Sequence, residues 1–299
     1  MSLLVVGSIA FDSIETPFGK LDELLGGSAT FFSAGASFFS PVRAVAVVGE
    51  DFDYNLLDFI KDRNVDLSGV YVEKGKTFRW GAKYQKDVNI RETIFTHLNV
   101  FQDFKPKIPE KFKESKCVFL ANIDPDLQNE VLIQIKNPSL VVMDTMNFWI
   151  SGKRKSLLNV ISNVDGIILN DSELRELSEE YNLIKAVKIV SKFGPELIIV
   201  KKGEHGAFIY YKGEFFFIPA FPLENVVDPT GAGDSFAGGF MGYIANSMKF
   251  DFEEFKNGII FGTVIASFCV EKFGIERFKY LTRNEIDERK EKFLKMIRM

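Results

Sequence analysis

The stretch Asp228-Pro-Thr-Gly-Ala-Gly-Asp-Ser-Phe-Ala-Gly-Gly-Phe240 is a glycine-rich bend that runs straight into an apolar, helix-forming segment. Pro229 restricts the chain before the bend, while Gly231 and Gly233 allow backbone angles that residues with a β-carbon resist. We predict a helix over Asp234–Met248, whose first N–H groups point toward one spot beside the bend. The helix macrodipole adds partial positive charge there. The stretch therefore predicts a site for an anion, such as a phosphoryl group.

Asp234 lies at the edge of this predicted anion site. Its carboxylate is placed to accept the proton of an attacking hydroxyl group while the bend holds a phosphoryl group in line. Gly238 and Gly239, one turn further along, lower helix propensity and indicate close packing of the helix against the sheet or a ligand. An ordinary loop with Asp234 as a helix cap is the structural alternative.

Along the chain, short apolar runs recur with segments of helical spacing between or after them. This alternation is typical of parallel strands joined by helices. The predicted strands are Leu3–Val6, Ala44–Val48, Val118–Ala121, Leu140–Met143, Gly166–Leu169 and Leu197–Val200. The predicted helices are Asp51–Arg63, Leu127–Lys136, Asp171–Phe193, Asp234–Met248, Phe252–Phe273 and Arg283–Ile297. We predict a doubly wound α/β fold with a mostly parallel central sheet, in which ligands bind at the carboxyl ends of the strands.

Residues 70–101 interrupt this alternation. Apolar side chains recur at every second position over Phe78–Tyr84, which predicts a strand, and a second strand is expected over Arg91–Thr96 after a turn. We expect about residues 12–20 to pair with this segment in a small sheet that projects from the body as a lid. Because the sequence has no linker rich in Gly, Ser or Pro, we expect residues 1–299 to form a single domain.

Composition and charge exclude several classes of protein. Hydrophobic residues make up 46% and charged residues 26% of the 299 residues, as in globular proteins. A net charge of −4 without a basic run argues against a nucleic-acid partner. Cys117 and Cys269 lie in apolar runs, which favours buried thiols in a reducing compartment. Since the sequence has no apolar run near the roughly 18 residues of a membrane span and no basic leader, we expect a cytoplasmic protein without a membrane partner.

The bend and the residues after it resemble the signature of the ribokinase-like carbohydrate kinases, the PfkB family. The matching residues are Asp228, Gly231, Ala232, Gly233, Asp234, Gly238 and Gly239. The resemblance implies transfer of the γ-phosphoryl group of ATP to a hydroxyl group of a sugar or nucleoside, with Mg²⁺ as a cofactor. It implies that Asp234 is the catalytic base and touches the substrate. It also implies an anion hole from the backbone of Gly231, Ala232 and Gly233, with Thr230 beside the nucleotide.

Features near the N-terminus resemble the substrate side of the family. The segment 7–12 follows the first predicted strand, and the family's Asp at this place hydrogen-bonds substrate hydroxyls, a role implied for Asp12. Gly26 and Gly27 resemble the family's paired glycines, which let the backbone approach the acceptor. Phe31 departs from the pattern, because the family's sugar-binding Asn stands four residues after the second glycine. We therefore expect Phe31 to favour a substrate with an apolar or aromatic face.

Two further segments resemble the nucleotide side of the family. Asn170 and Glu173 match its Asn-x-x-Glu motif, which implies that Asn170 lies near phosphate and that Glu173 orders the water ligands of Mg²⁺. A helix cap formed by the same two residues is the structural alternative. Lys202, Gly203 and Gly206 lie in a segment that resembles the family's nucleotide-binding turn, with a simple hairpin turn as the alternative.

Weaker nucleotide and phosphate candidates lie at other strand and helix ends. Asp144 and Asn147 follow a predicted strand on the side of the cleft and are candidates for contact with phosphate or substrate. The turn at Gly274, with Asn257 upstream, falls where the family closes its adenine pocket. The resemblance implies nucleotide contacts for both residues.

The sequence lacks the residues that define several other enzyme classes. No P-loop string Gly-x-x-x-x-Gly-Lys-Ser/Thr occurs, and Phe236 stands at the third glycine of a dinucleotide fingerprint. A hydrolase with Ser235 as nucleophile would need a downstream histidine, yet His97 and His205 both precede it. A sugar- or nucleotide-binding sensor without turnover is a further alternative, although a sensor would not need Asp234. A homodimer through the lid sheet and the choice between sugar and nucleoside stay open.

Overall fold

The computed structural model describes residues 3–297, so residues 1, 2, 298 and 299 at the ends of the expected domain lie outside it. The strands are β1 Leu3–Val6, β2 Ala10–Thr16, β3 Gly19–Gly26, β4 Val42–Gly49, β5 Val65–Glu73, β6 Phe78–Tyr84, β7 Arg91–His97, β8 Cys117–Leu120, β9 Leu140–Asp144, β10 Gly166–Asn170, β11 Leu197–Lys201, β12 Ala207–Tyr211 and β13 Glu214–Ile218. The α-helices are α1 Ser28–Ala36, α2 Asp58–Lys61, α3 Pro125–Gln134, α4 Asn147–Gly152, α5 Arg154–Ile161, α6 Asp171–Ser178, α7 Leu183–Val190, α8 Ala232–Ser247, α9 Phe252–Cys269, α10 Glu276–Tyr280 and α11 Arg283–Ile297.

Nine strands form the central sheet in the order β13-β12-β11-β10-β9-β8-β1-β4-β5. The strands from β11 to β5 are parallel, whereas β12 and β13 extend the sheet as an antiparallel hairpin. Side chains alternate across the sheet: Leu3 and Val5 pack into a core with α1, α8 and α9, and Leu4 and Val6 pack into a second core with α5, α6 and α7. The doubly wound, mostly parallel fold predicted from the sequence is confirmed.

All six strands predicted for the body occur, but two predicted helices are wrong. Residues 51–63 contain only a short 3₁₀ turn and the four residues of α2. The helix expected over 171–193 is divided into α6 and α7, because Glu179 adopts a left-handed conformation at φ 55° and Asn182 caps a new helix. Its last three residues, 191–193, form a 3₁₀ turn.

A second sheet has the order β3-β2-β6-β7. The pair β2–β6 is parallel and the other two pairs are antiparallel. The predicted strands at Phe78–Tyr84 and Arg91–Thr96 are therefore present, and β3 adds an edge strand that the sequence had not indicated. Residues 70–73, expected in the lid, instead belong to β5, which pairs with β4 in the central sheet.

Four parallel strands of the central sheet, β1, β9, β10 and β11, bring their carboxyl ends to one edge. Asp144, Asn170 and Lys201 are the last residues of β9, β10 and β11. The N-terminus of α8 reaches the same edge, since a β-carbon on Gly233 would lie 2.9 Å from Lys201 Nζ. Across residues 3–297, every helix is too short or too polar to span a bilayer.

Candidate active site

The glycine-rich bend takes the shape that its sequence predicts. Gly231 lies in the left-handed region at φ 74° and precedes the first turn of α8, a helix of 16 residues. A β-carbon at Gly231 would lie 2.3 Å from Phe31 Cδ1, so both the backbone angle and the close approach require glycine. Phe31 is only 1% exposed. Its ring supports the bend from below, which differs from the contact with substrate expected from the sequence.

Some backbone N–H groups of the bend form hydrogen bonds within it, and others do not. Within residues 3–297, the N–H groups of Gly231 and Gly233 have no backbone acceptor. The N–H of Ala232, by contrast, donates to the carbonyl of Pro229 at 3.2 Å. These free donors lie at the positive end of α8, where N–H groups are suited to an anion, whereas the N–H of Ala232 is already bonded within the bend.

Asp228 holds the bend in place from the opposite side. Its carboxylate accepts the N–H of Thr230 and the N–H of Gly274, both at 2.9 Å. Gly274, at φ 54°, therefore joins the turn after α9 to the bend. Gly274 therefore has a structural contact with Asp228. The sequence had predicted only a nucleotide contact for this residue.

Asp234 lies half-buried in the first turn of α8. Burial raises the pKa of Asp234 to about 7, and the negative charge of Asp144 raises it further, while Lys201 opposes both effects. A carboxyl group with a pKa near neutrality can both accept and release a proton at physiological pH. Asp234 therefore has the properties of a proton acceptor beside the free N–H groups.

Lys201 is the site residue that the sequence analysis missed. It ends β11, and its ammonium group lies 3.5 Å from Asp144 Oδ2. The same group packs against the bend at Gly233. Sequence reasoning chose Lys202, whose N–H closes the following turn by donating to the carbonyl of Gly206 at 2.8 Å. The sequence did contain a signal for Lys201, because it directly follows a predicted parallel strand and such residues lie at the edge of the cleft.

Asn170 and Glu173 form the capping box that the sequence allowed as an alternative. Asn170 Oδ1 accepts the N–H of Glu173 at 2.8 Å, and Glu173 Oε2 accepts the N–H of Asn170 at 2.7 Å. Burial and the charge of Asp144 raise the pKa of Glu173 to about 7, with Lys201 opposing them. Glu173 therefore lies in the same charge cluster as Asp234, and its other carboxylate oxygen, Oε1, is not used by the cap.

The residues predicted to bind the acceptor lie on β2, at the end of β3 and at the start of α1. A β-carbon at Gly26 would lie 1.9 Å from Asp12 Oδ2, so the carboxylate lies directly on this glycine. Gly27, at φ 93°, approaches the carbonyl oxygen of Ser8 so closely that a β-carbon would lie 2.5 Å from it. Burial raises the pKa of Asp12 to about 8, and the charge of Asp228 adds to the effect. The structure thus brings Asp12, Gly26 and Gly27 together.

The second sheet contacts the site at two places. The Thr230 hydroxyl donates to the Tyr84 hydroxyl oxygen of β6 at 3.1 Å. At the turn between β6 and β7, a β-carbon on Gly203 would lie 2.7 Å from Asn89 Oδ1. The positive charge of Arg91 in β7 also lowers the pKa of Asp234. The small sheet therefore covers the bend and the turn after β11.

Two residues expected at the site are directed elsewhere. Asn257 lies beside Tyr243, which is nine positions along α8 from Asp234, or about 14 Å at 1.5 Å per helical residue. The structure thus does not bring Asn257 to the bend, because α9 begins near the far end of α8. Asn147 opens α4, and its side-chain amide donates to Glu176 of α6. Its amide group is therefore occupied by a neighbouring helix.

Comparison with protein families gives one match over most of the chain. The family model described as pfkB family carbohydrate kinase matches residues 5–278. A cytidine kinase of Thermococcus kodakarensis is 29% identical over 247 residues, which cover 81% of this chain and 87% of that protein. A nucleoside kinase of Methanocaldococcus jannaschii is 28% identical over 250 residues, which cover 83% of this chain and 79% of that protein.

Comparison with solved structures agrees with the two-sheet architecture. A putative ribokinase II from E. coli, crystallised in complex with ATP and Mg²⁺, superimposes with a TM-score of 0.78. The superposition covers 97% of this chain and 99% of that chain at 18% sequence identity. At this identity the likeness bears on the fold alone.

Proposed function

Since this chain belongs to the pfkB family of carbohydrate kinases, it is a phosphotransferase that acts on a hydroxyl group, and we propose that Asp234 is the base of that transfer. The single observation that carries the proposal is the first turn of α8, where the free N–H groups of Gly231 and Gly233 and the Asp234 carboxylate lie within four residues. The N–H groups would hold the phosphoryl group, and Asp234 would take the proton of the acceptor hydroxyl.

We propose ATP as the phosphoryl donor and Mg²⁺ as the cofactor. The residues fit a phosphate chain, because the bend offers unpaired N–H groups and Lys201 adds a positive charge beside Gly233. Residues 3–297 contain no cluster of three or more His, Cys, Asp or Glu side chains suited to a metal ion. Glu173 would therefore hold Mg²⁺ through water, and phosphate oxygens would supply the other ligands. When bound, Mg²⁺ neutralises the charge of the phosphates.

We propose further nucleotide contacts from the turn after β11. Gly203 and Gly206 adopt positive φ angles of 54° and 85°, and both lie on the path from β11 to β12. Lys202 begins this turn, and Asn170 ends the neighbouring strand β10. Such a turn at the carboxyl end of a parallel strand lets the backbone approach a nucleotide closely. Thr230 adds a hydroxyl group between the bend and the lid.

We propose a nucleoside as the acceptor, with a sugar as the second candidate. The face of the lid that carries Asp12 also carries Ile14, Trp80, Ala82 and Tyr84 in one apolar cluster, against which Phe273 packs. Aromatic and aliphatic side chains of this kind suit the flat face of a base. Asp12 would bind the ribose hydroxyls beside it. The cytidine kinase and nucleoside kinase relatives agree with this choice.

The test is a phosphorylation screen over nucleosides and sugars with ATP and Mg²⁺, in which the parent protein is compared with Asp234→Asn. We expect transfer to a nucleoside by the parent, and a loss of about 10²–10⁴-fold in kcat with near-normal ATP affinity in Asp234→Asn, since only the base is removed. Near-parental turnover by Asp234→Asn would refute the base. A sensor would bind ligand with no turnover in either protein. Transfer to sugars alone would show that the acceptor is a sugar and not a nucleoside.

We also propose a cytoplasmic location and a dimer through the second sheet. Cys117 and Cys269 are both buried free thiols, which agrees with a reducing compartment. Leu21 and Ile94 are exposed apolar side chains on the two edge strands, β3 and β7, where a second copy could pair. Light scattering would test the dimer, and a mass equal to one chain at all concentrations would exclude it.

A further inference from the structure

Lys201 is held at the centre of the site without a close partner. Its side chain is 18% exposed and its ammonium group is 3.5 Å from Asp144 Oδ2. A charge-assisted hydrogen bond of this type is normally about 2.7–2.9 Å long, so the contact is loose. An ammonium group has three N–H donors. Lys201 therefore keeps donors that the contact with Asp144 does not satisfy.

The position of the ammonium group relative to the bend indicates where those donors lie. A β-carbon on Gly233 would be only 2.9 Å from Lys201 Nζ, so the ammonium group lies against the backbone of the bend. Gly233 also provides one of the free N–H groups of the anion site. The backbone donors and the ammonium group therefore border the same space. An anion held by the bend would contact both.

The charge of Lys201 is maintained by the groups around it. Burial alone would lower the pKa of Lys201, but the nearby carboxylates of Asp144, Glu173 and Asp234 outweigh burial and leave the pKa above its usual value. The cluster therefore contains three carboxylates around one ammonium group. Such a site repels an anionic phosphate chain unless positive charge is directed at it.

We propose that Lys201 is a catalytic residue that donates hydrogen bonds to the non-bridging oxygens of the transferring phosphoryl group. This inference rests on the function proposed above, and it adds a side-chain cation to the backbone anion hole. In the transfer, the acceptor oxygen bonds to the γ-phosphorus while the bond from that phosphorus to the β,γ-bridging oxygen breaks. The electron pair of the broken bond leaves with ADP, Asp234 receives the acceptor proton, and Lys201 keeps its own protons.

The alternative is that Lys201 only balances the buried charge of Asp144. In that case the two residues would form a structural pair, and removing both would restore a neutral, functional site. The proposal predicts the opposite, because the phosphoryl group loses its donor whether or not Asp144 is charged. A pair of variants, Asp144→Asn and the double variant Asp144→Asn/Lys201→Met, therefore separates the two roles even if Lys201→Met alone folds poorly.

The experiment measures kcat and, separately, the affinity for inorganic tripolyphosphate in metal-free buffer by titration calorimetry. Relative to Asp144→Asn, we expect the double variant to lose about 10²–10³-fold in kcat, as when one donor to a developing charge is removed. We expect its tripolyphosphate affinity to fall about tenfold, since a hydrogen bond to a charged group is lost. Lys188→Met is the control, because Lys188 is exposed on α7, which leads to the opposite end of β11.

The outcomes separate this inference from the proposed function. A double variant that keeps kcat within about threefold of Asp144→Asn, or keeps its tripolyphosphate affinity, would overturn the role of Lys201. If Asp234→Asn is inactive in the same assays, the proposed function stands and only Lys201 is reassigned. If Asp234→Asn is fully active, the proposed function itself fails. Melting temperatures of all variants confirm that folded proteins are compared.

Discussion

At the scale of single residues, the site contains carboxyl groups whose ionised form is disfavoured by burial. Asp12, Glu173 and Asp234 all have a raised pKa, and burial is the largest cause in each. Lys201 opposes the effect at Glu173 and Asp234, but Asp144 adds to it at the same two groups. Because Asp144 and Lys201 act on both Glu173 and Asp234, the protonation of these groups is linked.

The pH dependence of kcat/KM tests this coupling. Asp234 must be ionised to accept a proton, so we expect activity to fall on the acid side with an apparent pKa of about 7. The negative charge of Asp144 disfavours the ionised form of Asp234, and Asp144→Asn should therefore move the acid limb to lower pH. The measurement is kcat/KM from about pH 5 to 9, with Glu130→Gln on the exposed surface of α3 as control. An acid limb that stays fixed or moves to higher pH in Asp144→Asn would contradict this account.

At the scale of elements, the position of the bend depends on how closely α8 packs against its neighbours. A β-carbon at Gly238 would lie 2.3 Å from the carbonyl oxygen of Phe32 in α1, and one at Gly242 would lie 2.8 Å from Ala36 Cα. On another side, Gly239 packs against Ile265 of α9. The glycines that weaken helix propensity in the sequence thus let α8 approach both helices. The close packing predicted for Gly238 and Gly239 is present, but its partners are helices α1 and α9 and not the sheet or a ligand.

Gly238→Ala tests the importance of this close approach. The added methyl group has no room beside backbone atoms, so we expect the free energy of unfolding to fall by about 1–3 kcal/mol. Gly152→Ala is the matched control, because nothing lies within 4 Å of a β-carbon at Gly152. Its stability should stay within about 0.5 kcal/mol of the parent. Urea unfolding measures both, and equal stability of Gly238→Ala and the parent would show that α8 and α1 separate at little cost.

At the scale of the whole molecule, the candidate site combines residues from both sheets. The central sheet supplies Asp144 and Lys201 from its strand ends, whereas the second sheet supplies Asp12 from β2. The bond between Thr230 and Tyr84 joins the bend to the second sheet. We propose that this bond helps the second sheet to act as a lid that excludes water during transfer.

Tyr84→Phe removes the bond while it keeps the aromatic ring. We expect the variant to hydrolyse more ATP per phosphoryl group transferred, and its kcat/KM for the acceptor to fall about 3–10-fold, because a neutral hydrogen bond of about 0.5–1.5 kcal/mol is lost. Hydrogen exchange over residues 84–97 should become faster. Tyr280→Phe is the control, since Tyr280 is 75% exposed. If Tyr84→Phe leaves both the ATP hydrolysed per transfer and the hydrogen exchange rates unchanged, the bond does not contribute to closing of the lid.

Features that depend on local chemistry could be predicted from the amino-acid sequence. Glycine and proline fixed the bend at residues 228–233, and apolar runs marked the parallel strands, because both depend on near neighbours in the chain. The capping box of Asn170 and Glu173 was likewise within reach, since its partners are three residues apart. The lid strands from Phe78 and Arg91 were also readable, because alternation repeats every two residues.

Contacts between side chains far apart in the chain could not be predicted in this way. Lys201 and Lys202 are adjacent lysines that local sequence does not distinguish. Lys201 lies against the bend because it is the last residue of β11. Phe31 was expected beside a substrate, yet it fills the space under Gly231. Asn257 contacts Tyr243, which lies nine positions along α8 from Asp234. These contacts join residues far apart in the chain, and their geometry is set by packing between elements, which local propensity does not encode.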